Sequence, residues 1–299
     1  MTHSRAAIAS GAAAAIIVGG SVPITGWLDG YPVIAGQALR YALGGLILLV
    51  WAQSRRRPLP RPSLADVRML IANAAIGMIG FNAAILVAQR YAEPGFVAAM
   101  LGGTPLMLAL AGPLIAGRRP SPVTIAGAVV VVFGIVVLSG GGSWHGPGLL
   151  LAILVMLCEV SFTLLIVGVV GRLGAFAAAT WCCFTAAIGG ALVATAVDGG
   201  NAWQLPSAPE TFALLTQAIG ATAIGFCCWY RAVNDLGADR AGVLIGLMPI
   251  SGFLVAVAIG AQPLTLTSCV GAALVTAGCV IGLRAPSEVR QAPRQAVPG

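Results

Sequence analysis

Apolar residues run through this chain in blocks, without the strict alternation of a half-buried strand and without the one-sided stripe of a surface helix. Ten blocks lie at about 8–28, 33–52, 68–88, 95–116, 122–139, 148–170, 175–196, 211–230, 241–261 and 266–283. Each approaches the roughly 20 residues that carry a helix across about 30 Å of hydrocarbon. Polar and turn-forming residues collect between them, as in Ser54 to Ser63, Gly140 to Ser143 and Asn201 to Pro209. The pattern predicts an all-α membrane protein with ten transmembrane helices. The first block has the length of a signal peptide but no convincing cleavage context. Pro23 followed by Thr25 reads instead as a kink within a first span.

The blocks repeat. Moved by 144 residues, Ala88 lands on Ala232, Gly102 on Gly246, Pro105 on Pro249, Gly127 on Gly271 and Gly134 on Gly278. The prolines and the glycines spaced by seven carry most of the weight, because Ala and Gly are abundant here. Each half holds five spans, an odd number, so the second half enters the membrane from the opposite side. Two inverted five-helix repeats are expected, at 6–140 and 146–284, joined by a flexible glycine connector and followed by a polar, disordered tail at 285–299. Inverted repeats are a transporter arrangement, with a site near the midplane and two bundles that rock on each other.

Ala98 and Gly102, and their counterparts Gly242 and Gly246, form small-xxx-small pairs that let helices approach closely in lipid. Pro105 and Pro249 follow on the same helices. A proline inside a span removes a backbone hydrogen bond and bares a carbonyl. With Pro23, these positions read either as hinges or as static kinks repaired by neighbours.

Composition agrees: 59% of the 299 residues are hydrophobic and 8% are charged, against roughly 25% charged in soluble domains. All 16 basic residues are Arg, and a nucleotide-binding P-loop needs a Lys, so the chain does not itself hydrolyse ATP through one. If ten helices alternate, fourteen of those Arg fall on one side, Arg90 lies on the other and Arg40 lies within a span. The positive-inside rule then places both termini in the cytoplasm. The net charge of +7 reflects this orientation and needs no nucleic acid. The seven cysteines lie within spans at spacings that fit no zinc ligand set, and read as small apolar residues. No metal or other cofactor is expected.

Two charges sit well inside spans, Glu159 in the sixth and Arg40 in the second. An ionised group at a helix centre costs about 2.5–3.5 kcal/mol on insertion scales and marks a functional site by default. Glu159 lies about eleven residues into its span, near the midplane at roughly 1.5 Å per residue. Desolvation with no cation beside it favours the neutral acid. That suits a proton-coupled exporter or a site for a cationic solute; a structural, hydrogen-bonded carboxyl is the alternative. Arg40 lies roughly 10 Å below the outer face, where three readings stay open: a snorkelling or purely structural role, contact with a substrate carboxylate, or pairing with Glu159. Asn82 and Gln217 are large enough to line a site, and Trp229 and Tyr230 to wall it, while Gln37 and Asn73 are expected to bond their own or a neighbouring helix. Under the 144-residue shift Glu159 lies over Ala15 and Arg40 over Phe184, so these two charges are not duplicated.

The set Arg40-Tyr41, Ala88 to Ala99 leading into Thr104-Pro105, Trp229-Tyr230-Arg231-Ala232, Gly237-Ala238, Met248-Pro249 and the closing Gly271 and Gly278 resembles the drug/metabolite transporter superfamily. Within it the likeness is to the ten-helix EamA-type transporters, over nearly the whole chain. Arg118-Arg119 departs from the pattern, since a short loop with a Glu is common there. The resemblance implies a secondary-active exporter of small organic solutes such as metabolites, amino acids or drugs, multi-pass in a bacterial inner membrane. With Glu159 the expected mechanism is proton-coupled alternating access. The alternatives are an uncoupled facilitator or exchanger, and a non-transporting scaffold or subunit. An enzyme is not expected, because no His–carboxylate, Ser–His or metal set lies in the spans. The expected partners are a small-molecule substrate, protons and the lipid bilayer.

Overall fold

The computed structural model describes residues 2–28, 30–140, 142–260 and 263–284; the tail expected at 285–299 lies outside them. Among the described residues ten helices are long and apolar enough to cross a membrane. They are α1 Ser4–Ile24, α2 Val33–Ser54, α3 Leu64–Ala88, α4 Phe96–Ile115, α5 Pro122–Ser139, α6 Gly148–Leu173, α7 Ala175–Ala202, α8 Ala208–Leu236, α9 Ala238–Ala258 and α10 Leu266–Leu283. No strand is present among these residues; the one extended pairing is an isolated bridge between Ala92 and Trp144.

Local chemistry starts several helices. Ser63 and Asp66 form a capping box at α3, and Ser207 and Glu210 form one at α8. Ser121 and Thr265 cap α5 and α10. Each side-chain oxygen satisfies an amide that the first turn would leave unbonded.

The duplicated glycines pack crosswise. Gly127 of α5 lies against Gly278 and Gly282 of α10, and Gly134 of α5 lies against Gly271, Leu274 and Val275. A repeat matches Gly127 with Gly271 and Gly134 with Gly278, so each glycine meets the counterpart of its neighbour. That exchange is what a two-fold axis between antiparallel helices produces, and it is the contact pattern of an inverted pair. The backbones touch: a Cβ on Gly278 would lie 2.7 Å from both the Gly127 carbonyl oxygen and the Val131 amide nitrogen.

The first helix of each half packs into the other half. In α1, Gly11 meets Ala232 of α8 and Leu244 of α9, and Gly19 meets the Met248 carbonyl of α9. In α6, Met156 fills the space at Gly103 of α4, and Phe162 that at Gly77 of α3. Between them α2 and α7 pair through Gly45 against Cys183 and Gly190 against Ala38.

The breaks in α4 and α9 also correspond. In α4, Gly102 and Gly103 form a turn, and Thr104–Ile115 restarts as helix with Pro105 in its first turn. In α9 a 3₁₀ turn at Leu244–Gly246 precedes Leu247–Ala258, whose first turn holds Pro249. The interruption thus precedes each proline. In a first turn the missing N–H costs nothing, because no intrahelical acceptor awaits it. Gly102 packs on Ile135 of α5, and Gly246 on Val131, Val275 and Cys279, so these glycines serve close packing as well as the break. Pro23 lies inside the last turn of α1.

The Arg-rich loops gather at one end, tied by Asp66–Arg172 between α3 and α6 and by Arg118–Asp239 (3.7 Å) between the loop after α4 and the start of α9. There Arg240 also donates to the Leu283 carbonyl at 2.8 Å, and Trp181 to the Pro60 carbonyl at 3.0 Å. At the opposite end Glu93 accepts from the Ser143 amide and hydroxyl (3.1 and 2.8 Å), anchoring part of the connector to the first half. Tyr31 donates to the Gln204 carbonyl there at 2.9 Å.

Gly127→Val is expected to destabilise the protein by about 1–3 kcal/mol, the usual range for overpacking, because its side chain would enter the α10 backbone. Gly200→Ala, with open space around the added carbon, is expected to be nearly neutral. Melting temperatures of the two purified variants in detergent check this.

Candidate functional site

The polar groups of the interior are organised by two widened turns. Residues Asn73–Gly80 of α3 and Gln217–Ile224 of α8 are π-helical, and the 144-residue shift lays one on the other, so the two segments are repeat counterparts from end to end. A π-turn inserts one extra residue per turn, disturbs the i→i−4 ladder and is frequent at functional sites. Each begins with a buried amide, Asn73 at 0% exposure and Gln217 at 1%. Asn73 Nδ2 donates to the Phe162 carbonyl of α6 at 3.2 Å. Gln217 Oε1 accepts from Arg40 Nη1 of α2 at 3.1 Å.

Arg40 is therefore held sideways across the bundle. Its Nη2 donates to the Tyr41 hydroxyl at 3.0 Å, and its guanidinium lies 4.6 Å from the centre of the Tyr41 ring. Asn82 of α3 comes up beside the same hydroxyl, while its own Nδ2 bonds the Met78 carbonyl within α3 at 2.6 Å. Thus Arg40, Gln217 and Asn82 converge, from three helices, around Tyr41. Arg40 Nε and Gln37 Oε1, one turn apart on α2, are buried without a hydrogen-bond partner.

Glu159 stands apart from this cluster. It makes no ion pair with Arg40, and no hydrogen bond to its carboxyl is present among the described residues. Val155 and Thr163, one turn to either side, and Ile166 beyond them are fully buried. Leu150, Leu154 and Leu157 mark the exposed side of α6. Helical geometry places Glu159 at the centre of the buried arc, yet it is only half-buried. The side of α6 that carries it is thus the one turned toward other helices.

Aromatic rings connect the two regions. Tyr41 and Phe226 have centroids 6.3 Å apart, Phe226 and Phe162 5.4 Å, and Phe162 lies one turn after Glu159 on α6. Tyr230 stacks on Phe226 at 5.7 Å and donates its hydroxyl to Cys182 Sγ at 3.3 Å. Fully buried, Tyr230 supports the ladder from behind; Trp229 is packed in the same core. The cysteines are mostly buried, but Cys269 is exposed. An open depression of about 450 Å³, lined by Gly30, Pro32, Val197, Asp198, Asn201 and Gln204, lies at the end opposite the Arg-rich loops.

Asn73 and Tyr41 join this arrangement although neither stands out by residue type. The available signal was the repeat: the 144-residue shift puts one interior amide, Asn73, on another, Gln217. Tyr41 reveals its part only when α2 and α8 are brought together.

Antiparallel halves that exchange first helices, an arginine held by amide and phenol, and a carboxyl facing inward define a multi-pass membrane protein with a polar interior. The EamA-like transporter family model matches this chain twice, over residues 5–140 and 146–284. The chain belongs to that family. It is similar to "Uncharacterized transporter YetK" of Bacillus subtilis (strain 168), 22% identical over 278 residues, covering 90% of this chain and 84% of that protein. It is also similar to "Uncharacterized transporter YdeK" of the same organism, 26% identical over 229 residues and covering 75% and 76%. A solved structure described as "Crystal structure of protein" shares the fold, with a TM-score of 0.79 and 21% identity over 92% of this chain and 96% of the other. These likenesses point to a transporter rather than an enzyme.

Gln217→Leu leaves Arg40 Nη1 without its acceptor and is expected to cost about 1–3 kcal/mol, the penalty of an unsatisfied buried polar group. Asn82→Leu removes a bond within its own helix and is expected to cost less. Thermal unfolding of both variants in the same detergent compares them.

Proposed function

We propose that this protein is a secondary transporter that exports a small organic solute across a bacterial inner membrane by alternating access. Both termini would be cytoplasmic, Glu159 would carry the coupling proton, and Arg40 would contact the solute. The observation that carries this reading is the crossed contact of repeat-equivalent glycines. Two copies of one bundle in opposite orientation give the molecule two related ways to close, one toward each side. The half-buried, unpaired carboxyl of Glu159 supplies a group that can take up and release a proton without breaking a salt bridge.

The ends of α3 and α8 support the alternating part of the proposal. Ser63–Asp66 and Ser207–Glu210 are repeat counterparts, each a capping box. Asp66 is also paired with Arg172, whereas the residue that corresponds to Arg172 in the first half is Leu28, beside the Trp27–Phe212 contact on α8. The Arg-rich end thus has an ionic latch where the other end has an apolar one. The open depression at the opposite end accords with a conformation closed at the cytoplasm.

In proteoliposomes, Glu159→Gln is expected to abolish solute accumulation driven by an imposed pH gradient while solute exchange at equal pH continues. Gradient-driven accumulation equal to wild type in this variant defeats the proton assignment. Leu28→Arg, which gives Glu210 the cation that Asp66 already has, is expected to lower turnover several-fold, and adding Glu210→Gln to restore it. Rates of counterflow in the three proteins are the measurement.

A further inference from the structure

We infer that the group bound at Arg40 is a carboxylate, on a solute that carries a hydrogen-bond donor close to it; this rests on the transport reading above. Arginine stays protonated in proteins, and this one lies in the interior third of α2 with only neutral acceptors, the Gln217 amide oxygen and the Tyr41 hydroxyl. No carboxylate lies within ion-pairing distance of it among the described residues. Arg40 is partly buried with its Nε enclosed, and a cation held in the interior without a counter-ion is costly. Both of its terminal nitrogens are engaged inside the bundle, one of them on a residue of α8 that is 1% exposed. The missing partner is an anion.

Charge and geometry narrow the anion to a carboxylate. Arg40 is the one cation in this cluster, so a single negative charge balances it. A phosphate monoester brings about 1.5–2 negative charges and would leave charge over. The planar guanidinium matches the two oxygens of a carboxylate. Its Nε–H is buried and unpartnered, the donor that such a ligand would satisfy. The Gln217 bond and the Tyr41 contact hold the guanidinium in place before the ligand arrives, which makes them positioning residues.

Gln37 adds the second feature. Its Oε1 is buried and lacks a donor, one turn from Arg40 on the same helix. A solute with a hydroxyl next to its carboxylate would satisfy both orphan groups at once while adding only one charge. The solute class is therefore small hydroxy acids, with the plain carboxylic acid binding more weakly and the amino acid disfavoured by its second positive charge.

The test is equilibrium binding to the full-length protein purified in detergent, which needs no flux. A panel of small 2-hydroxy and 2-amino acids is titrated beside the corresponding unsubstituted acids, amides and amines. Wild type is expected to bind acids at least tenfold more tightly than their amides, and hydroxy acids several-fold more tightly than unsubstituted or 2-amino acids. Arg40→Gln is expected to lose the preference for acid over amide. Gln37→Leu is expected to lose only the preference for the added hydroxyl, which keeps the site testable should Arg40→Gln fail to fold. Amides or amines binding as tightly as acids, or no acid binding at all, overturns the inference. Acid binding without flux in proteoliposomes leaves the carboxylate site standing and defeats transport; flux of other solutes without acid binding does the reverse.

Discussion

The packing of α5 on α10 through bare backbone is the constraint on which the rest of the architecture depends. Hydrocarbon gives no hydrophobic reward for bringing two helices together, so close van der Waals contact must drive their association. Glycines at Gly127, Gly134, Gly271 and Gly278 allow it, and their crossed pairing fixes the two halves as an antiparallel pair. Once that seam is set, α1 and α6 reach into opposite halves, and α2 and α7 close the bundle between them.

Symmetry established in this way makes its exceptions informative. The π-turns of α3 and α8, the breaks before Pro105 and Pro249 and the capping boxes at Ser63 and Ser207 are all duplicated. Arg40, Glu159 and Arg172 are not: their counterparts are Phe184, Ala15 and Leu28. A duplicated scaffold can adopt two related conformations. A charge present in only one half makes the two halves chemically unequal.

Arg40 shows how an expensive charge is accommodated. Of the readings open from its position, pairing with Glu159 is absent among the described residues, and the bonds to Gln217 and Tyr41, which suit a structural role as well as contact with a solute, keep the guanidinium inside the bundle. The neutral acceptors orient the guanidinium without neutralising it. Glu159 is placed differently, at the far end of an aromatic ladder and facing inward, so that the two charges address different parts of the interior.

The amino-acid sequence by itself determined the ten apolar spans, the 144-residue repeat and the two intramembrane charges, because span length, glycine spacing and charge scarcity are properties of the linear chain. The loss of an N–H at Pro105 and Pro249 was legible too, but not that each follows a helix break and so costs no hydrogen bond. Only the tertiary structure decided that Gly127 meets Gly278, that Arg40 turns to Gln217 and Tyr41 and away from Glu159, and that Asn73 and Gln217 open matching π-turns. Those outcomes depend on which faces meet across helices far apart in the chain. In a nearly uniform apolar span, periodicity leaves that choice open, and close packing and the satisfaction of buried polar groups make it.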